Sequence, residues 1–402
     1  MRTGYPWASR LRGGAAAVPT RLLGRPAVVV GGPDGVRRFY DPRLRRRGAF
    51  PPAIKLVLFG RGALHGLDDD AHRARKAMFV DVLSPAAVQD LAVRATGQWS
   101  AAAAGWADGD PVVVFTEAAR VLTGAVLPWA GVPVDRAEVT LRARQLVEVV
   151  DGFATPVVPY VRAATSRRQL NRWATGLVSR VRSGVLHPEP GTALHAAATF
   201  RGRSGRLLSA HVAAVELLNF VRPTVAVAWY VAFAADALRN HPQWATRIVA
   251  GDERTLYAVA QEVRRLYPFV PVLAARARHR QDVLGIDLRR GGLVVLDVHG
   301  TNHDPTSWPD PDQFKPERFL TGAVDPDALV PQGGGDVRLG HRCPGEDVTL
   351  TMLAVALRCL AGHPEVVASQ DLHWDLSRMP SRPALRRRRE VGRRQPSSPV
   401  AS

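Results

Sequence analysis

Three stretches of the chain place reactive side chains where their chemistry would matter. In "QGGGDVRLGHRCPGEDV", Gln332 to Val348, a cysteine follows a glycine-rich basic loop. Pro344 suits the first turn of a helix, where its missing N–H is not needed. Glu346 and Asp347 place negative charge where a helix dipole is positive. Cys343 is therefore expected just before a helix N-terminus, a position that stabilises thiolate. A lone thiolate there could act as a nucleophile or as the fifth ligand of a haem iron. The other cysteine, Cys359, sits on the apolar run that follows and reads as core. With two cysteines and no C-x-x-C spacing, a four-cysteine zinc site is excluded.

The second stretch is "QEVRRLYP", where Glu262 and Arg265 stand at i, i+3 and can pair on one helix face. The same spacing recurs at Glu117/Arg120 and Glu390/Arg393, so the pair means little by itself. The third is "ELLNFVRPTVAVAW", where Arg222-Pro223 interrupts an apolar helix. A proline there removes a helical hydrogen bond and should kink the helix. A buried arginine needs an anionic partner, and Glu216 is the candidate within the chain. In "ALHGLDDDAHRARKAMFV", His72, Arg75 and Lys76 fall within about one helical turn.

The elements that would position these groups follow from periodicity. "RPAVVVGGPDGVRRFY" reads as strand, turn and short helix. Residues from about 70 to 265 are mainly helical by period, broken at "DGDPVVVF" and "LHPEPG". "LGIDLRRGGLVVLDVHGTNHD" reads as short β runs around a Gly-Gly turn. "WPDPDQFKPERFL" is an irregular linker, and a short strand-like end, "DLHWDLSRMP", follows the cysteine helix. The fold class expected is mainly α with a small β portion (α+β). One domain over 1–402 is expected, with 380–402 a basic, partly disordered tail.

The chain has 402 residues, 46% of them hydrophobic, enough for a large core. Its formal charge of +18 rests on arginine, since Lys55, Lys76 and Lys315 are the only lysines. The arginines are spread along the chain, and only "ALRRRREVGRRQPSSPVAS" is a true cluster. A basic polyanion-binding protein is thus the non-enzyme reading, but no specific nucleic-acid signature accompanies it. The N-terminus has no apolar h-region, so no secretory signal is expected and a cytoplasmic location is. The long apolar run from Val212 to Leu238 carries Glu216, Arg222 and Asp236, which argues for a buried helix rather than a membrane span.

The order of these parts resembles the cytochrome P-450 superfamily of haem-thiolate enzymes, from about Thr20 to Pro380. The resemblance implies a cytochrome P-450 fold and haem b with Cys343 as its axial iron ligand. It implies a buried network of Glu262, Arg265 and Arg318 ("PERF") bracing the ligand loop. Gly345 and His341 fit the family's positions after and before the cysteine. Two features depart from the usual pattern. The loop lacks its phenylalanine, and Thr224 has no acidic neighbour to complete the usual proton-relay pair. "SRPALRRRRE" also departs from the apolar hairpin expected near the substrate channel.

With "FYDPRLRRRGAFP", "LFGRGALHGLD", "ELLNFVRPTVA", "YPFVPVL" and "LDVHGTNHDP", the chain is similar to the fatty-acid peroxygenase branch. That similarity implies catalytic roles for Arg222, Pro223 and His65. Arg222 would hold the substrate carboxylate, and Phe59 and His65 would line the distal pocket. Arg46, Lys76, Tyr267 and His341 would contact the haem propionates. The partners implied are a fatty acid and hydrogen peroxide, with no dedicated redox partner. α- or β-Hydroxylation or decarboxylation to a terminal alkene would follow, with the substrate carboxylate as acid and base. The competing enzymatic expectation is a conventional monooxygenase served by a ferredoxin and a reductase.

Overall fold

The computed structural model describes residues 4–22, 24–106, 112–152, 157–370, 372–373, 376 and 384–385. Most of the basic tail, with Glu390/Arg393, lies outside them, as do parts of "DGDPVVVF" and "DLHWDLSRMP".

Near the N-terminus α1 (Trp7–Arg12), β1 (Ala17–Leu22), β2 (Arg25–Val30), α2 (Gly32–Phe39), β3 (Leu44–Arg45) and α3 (Pro52–Leu58) precede the helical body. That body comprises α4 (Asp69–Val82), α5 (Pro85–Ala104), α6 (Val114–Trp129), α7 (Arg136–Asp151), α8 (Val157–Arg182) and α9 (Ala193–Thr199). It continues with α10 (Ala210–Asn240), α11 (Pro242–Val249) and α12 (Glu253–Leu266). After it come β4 (Val272–Ala277), β5 (Gln281–Val283), β6 (Ile286–Leu288), β7 (Leu293–Asp297) and α13 (Val298–Asn302). The chain then runs through α14 (Glu346–Ala361), α15 (Pro364–Ser369), β8 (Leu372–His373) and β9 (Ala384–Leu385).

The helix α10 is the axis of the molecule. It packs against α6, α8, α9 and α14, and nearly every side chain from Ala213 to Leu238 is buried. An all-round apolar helix belongs inside a large core, not at its surface. It is the one helix among the described residues long and apolar enough to cross a bilayer, yet 94% of its most apolar stretch is buried within the protein. The helix α10 runs without interruption through Pro223. Packing on several sides outweighs one lost backbone hydrogen bond.

The β portion is a five-stranded sheet in the order β1-β2-β7-β4-β3, with two-stranded sheets β5-β6 and β8-β9 beside it in the chain. The β2–β7 pair is parallel, with Val28 opposite Val294; the other pairs are antiparallel. Its valine and leucine side chains form a second core with Val36 and Phe39 of α2. The β reading of "VHGTN" is corrected. Asp297 caps Gly300 N–H at 2.8 Å and turns the chain into α13. Pro344 also lies outside the expected first turn, two residues before α14 starts at Glu346 with Gly345 as N-cap.

Candidate functional site

Cys343 leads into the N-terminus of α14. Its backbone N–H donates to the Gln332 carbonyl at 3.2 Å, and the Gly345 N–H points at its sulfur. Burial nevertheless pushes the thiol pKa up, with Gly345 and Lys76 opposing. Metal coordination would reverse that balance, since a coordinated thiol loses its proton. The glycines before it are required by shape. Gly333 and Gly335 have φ of +89° and +74°, and a Cβ on Gly333 would lie 2.5 Å from the Tyr40 hydroxyl. Cys359 lies within α14.

The loop is braced by residues that the sequence reading missed. Arg264 bonds Glu346 at 2.5 Å and the Gln332 amide oxygen at 2.6 Å. Arg342 Nε bonds the other Glu346 oxygen at 2.8 Å. Gln332 Nε2 donates to Thr349 at 2.7 Å and lies 4.0 Å from the Cys343 sulfur. The doubled arginine of "VRRL" was the available signal, because adjacent helical residues face different neighbours.

The second arginine, Arg265, makes a two-pronged pair with Glu262 at 2.7 and 2.8 Å. Arg318 Nε joins at 3.3 Å and the Lys315 N–H at 2.8 Å. Arg265 also donates to the carbonyls of Asn302 and Pro311 at 2.9 and 2.8 Å. The structure thus brings Glu262, Arg265 and Arg318 together. Their direct hold is on the Asn302–Arg318 segment, while Arg264 and Glu346 hold the cysteine loop.

Above the loop lies a group of cationic and imidazole side chains. Lys76 Nζ donates to the Arg342 carbonyl. The rings of His72 and His341 are 3.8 Å apart between centroids. The Arg46 guanidinium lies 4.1 Å from the Phe39 ring centroid. Burial depresses these groups, Lys76 to about 8, His72 to about 4, and Arg46 to about 10, with Lys76 adding to the shift of His72. Among the described residues, Asp68 is the carboxylate in ion-pair range of His341, at 3.9 Å. The Tyr267 hydroxyl donates to Asp236 at 3.0 Å and its ring stacks on Phe233.

Phe59 and His65 stack with centroids 4.1 Å apart. The Arg222 guanidinium lies 5.6 Å from the Phe59 centroid. His65 carries exposed surface, yet burial and then Arg222 hold its pKa well below the usual histidine value. The two facts agree if its surface faces space enclosed by the protein rather than bulk solvent. Arg222 is 8% exposed, and its Nε has no partner. Burial and then Arg167 lower its pKa to about 9. Glu216 does not neutralise it, because that carboxylate binds Arg75, the Leu64 N–H at 2.9 Å and Asn219 Nδ2 at 3.1 Å.

The site therefore offers one thiol at a helix start, a basic group with one nearby carboxylate, and a buried arginine without an anion. An iron ring with acidic side arms would supply a metal for the thiol and carboxylates for the basic group, leaving the arginine for another anion. The residues fit haem: Cys343 would hold its iron, and Arg46, Lys76 and His341 would face its propionates.

The cytochrome P-450 family model matches residues 254–367, which include Glu262, Arg265, Arg318 and Cys343. The chain belongs to the cytochrome P-450 family, and members bind haem through a cysteine thiolate. Among solved structures it is similar to cytochrome P-450SP alpha in complex with (R)-ibuprophen, at 37% identity over 94% of both chains and a TM-score of 0.88. It is also similar to a variant of cytochrome P-450 OleT in complex with arachidonic acid. There the identity is 30%, over 95% of this chain and 92% of that one, with a TM-score of 0.87. A curated cytochrome P-450 of Mentha piperita is 35% identical over 126 residues, 30% of this chain and 23% of the relative. The chain thus spans under a quarter of that relative's length.

Proposed function

We propose that this protein is a haem-thiolate peroxygenase that oxidises fatty acids at the α or β carbon with hydrogen peroxide. The observation that carries the reading is the buried Arg222 guanidinium, which has no carboxylate partner among the described residues. Two similar structures hold carboxylic acids, and a planar guanidinium binds a carboxylate through two hydrogen bonds. Haem, held by Cys343, supplies the oxidising centre when bound.

Arg222 orients the substrate so that its carboxylate stands beside Phe59 and His65. That carboxylate takes the first proton of peroxide and returns it to the departing oxygen, the role an acid–alcohol pair would otherwise fill. Arg222 keeps the carboxylate ionised between turnovers. Pro223 follows directly on α10 and leaves the Asn219 carbonyl without its helical donor. His65, neutral through burial, can accept a proton beside the reacting carbons and so shifts the partition from hydroxylation toward decarboxylation to a terminal alkene. Peroxide supplies both oxygen and oxidising equivalents, so no reductase or ferredoxin is needed. The buried α10 is consistent with a cytoplasmic enzyme, and the whole chain would act as one domain with a basic tail. The test is turnover of a fatty acid with peroxide alone and identification of the products. Turnover only with ferredoxin and reductase would favour the conventional monooxygenase.

A further inference from the structure

A pocket of about 770 Å³ lies between α3, the loop after it, α8 and the first turn of α10. Its basic lining is Arg61, Arg167, Arg168 and His211, and no Asp or Glu lines it. The rest of the wall is largely apolar, including Leu56, which is 47% exposed. Arg167 forms part of the lining and is 4% exposed. Its two terminal nitrogens donate to the carbonyls of Leu58 and Phe59 at 3.4 and 3.1 Å, while its Nε has no partner. The Asn171 amide oxygen in the same wall also lacks one. Ser209 caps the Val212 N–H at 3.2 Å, and the positive end of a 31-residue helix opens beside it.

The pocket is separate from the Arg222 site. Phe59 stands between them, with its carbonyl bound to Arg167 and its ring beside Arg222. A concentration of positive charge with an apolar wall selects an amphiphilic anion. The volume would hold roughly 25 waters at about 30 Å³ each, far more than a bare inorganic anion fills. It falls in the range of about 300–1,000 Å³ typical of small-molecule sites.

We propose that this pocket is a second binding site, for a medium-chain carboxylate, with the headgroup at Arg61, Arg168 and the first turn of α10 and the chain along Leu56, Val57 and Val212. The site stands whether or not the protein oxidises what it binds there.

The test uses the haem-loaded full chain and dodecanoate. Calorimetry counts every bound molecule, whereas the Soret shift counts only the one near haem. Calorimetry should give two per chain, and the Soret titration should saturate at one. Arg61→Gln/Arg168→Gln should weaken the calorimetric second site at least tenfold and leave the Soret titration and the circular dichroism unchanged. One dodecanoate per chain in the wild type, or two undiminished in the double variant, would overturn the assignment. Dodecanol filling the second site equally well would overturn the role of its charge. Displacement by millimolar inorganic phosphate would overturn the amphiphile in favour of a bare anion. Two molecules bound and none oxidised would retain the pocket and defeat the peroxygenase reading; one bound and oxidised would do the reverse.

Discussion

At the scale of single residues, the site is defined by what each side chain lacks. Cys343 carries a thiol whose proton is held by burial until a metal displaces it. Cys343→Ala should abolish the absorption of the reduced carbon monoxide complex that marks thiolate ligation, while Cys359→Ala keeps it. Reversed outcomes would move the ligand to α14. His65 stacks on Phe59 next to Arg222, and its neutral ring would take the carboxyl proton released when a second one-electron oxidation at the β carbon gives carbon dioxide and the alkene. His65→Gln should therefore lower the ratio of terminal alkene to hydroxy acid at least twofold with total turnover less affected. An unchanged ratio, read by gas chromatography of the products, would remove His65 from the partition.

At the scale of elements, α10 does more than carry Arg222. One turn earlier Asn219 donates to the Phe59 carbonyl at 3.2 Å, and a turn before that Glu216 holds the Leu64 N–H and Arg75. The loop from Phe59 to Leu64 is thus clamped to the helix that bears Arg222. Glu216→Ala strands a buried Arg75, so about 3–5 kcal/mol of stability should be lost. Glu216→Gln keeps an acceptor for Leu64 and should lose less. Denaturant titration of the haem-loaded variants checks the order. This clamp could not be read from sequence, because Leu64 and Glu216 are 152 positions apart. What sequence did convey were groups a turn apart or less: Cys343 before its helix, Glu262 with Arg265, Arg222 with Pro223. The ties missed were long-range, such as Arg264 to Gln332 across 68 positions. The Tyr267 bond to Asp236, on another helix, is a tie of the same kind. Glu117/Arg120, with the same spacing as Glu262/Arg265, pairs on partly exposed surface, while Glu262 and Arg265 are buried by contacts the spacing does not contain.

At the scale of the whole molecule, a formal charge of +18 coexists with several histidines kept neutral by burial. His303 is the clearest away from the site: burial and then His299 lower its pKa to about 3. A base depressed on folding is protonated first in the unfolded chain. Its contribution is complete above about pH 6.5 and is lost as pH falls toward 3, with a slope near 1.4 kcal/mol per pH unit. His303→Gln should flatten the stability curve in that window, and an unchanged curve by urea denaturation would assign the acid sensitivity to other groups. The central claim is that Arg222 supplies the anion site around which the whole α10 core is arranged. Charge-assisted bonds to carboxylate contribute about 1.5–3 kcal/mol, or roughly 10–150-fold in affinity. Loss of the held base adds about 10²–10⁴-fold in rate. The direct measurement is peroxide-driven oxidation of dodecanoate, without reductase, by haem-loaded wild type and Arg222→Ala side by side. The wild type should turn over and the variant should keep its haem spectrum but lose nearly all turnover; a haem-loaded Arg222→Ala that oxidises dodecanoate at the wild-type rate would contradict the account.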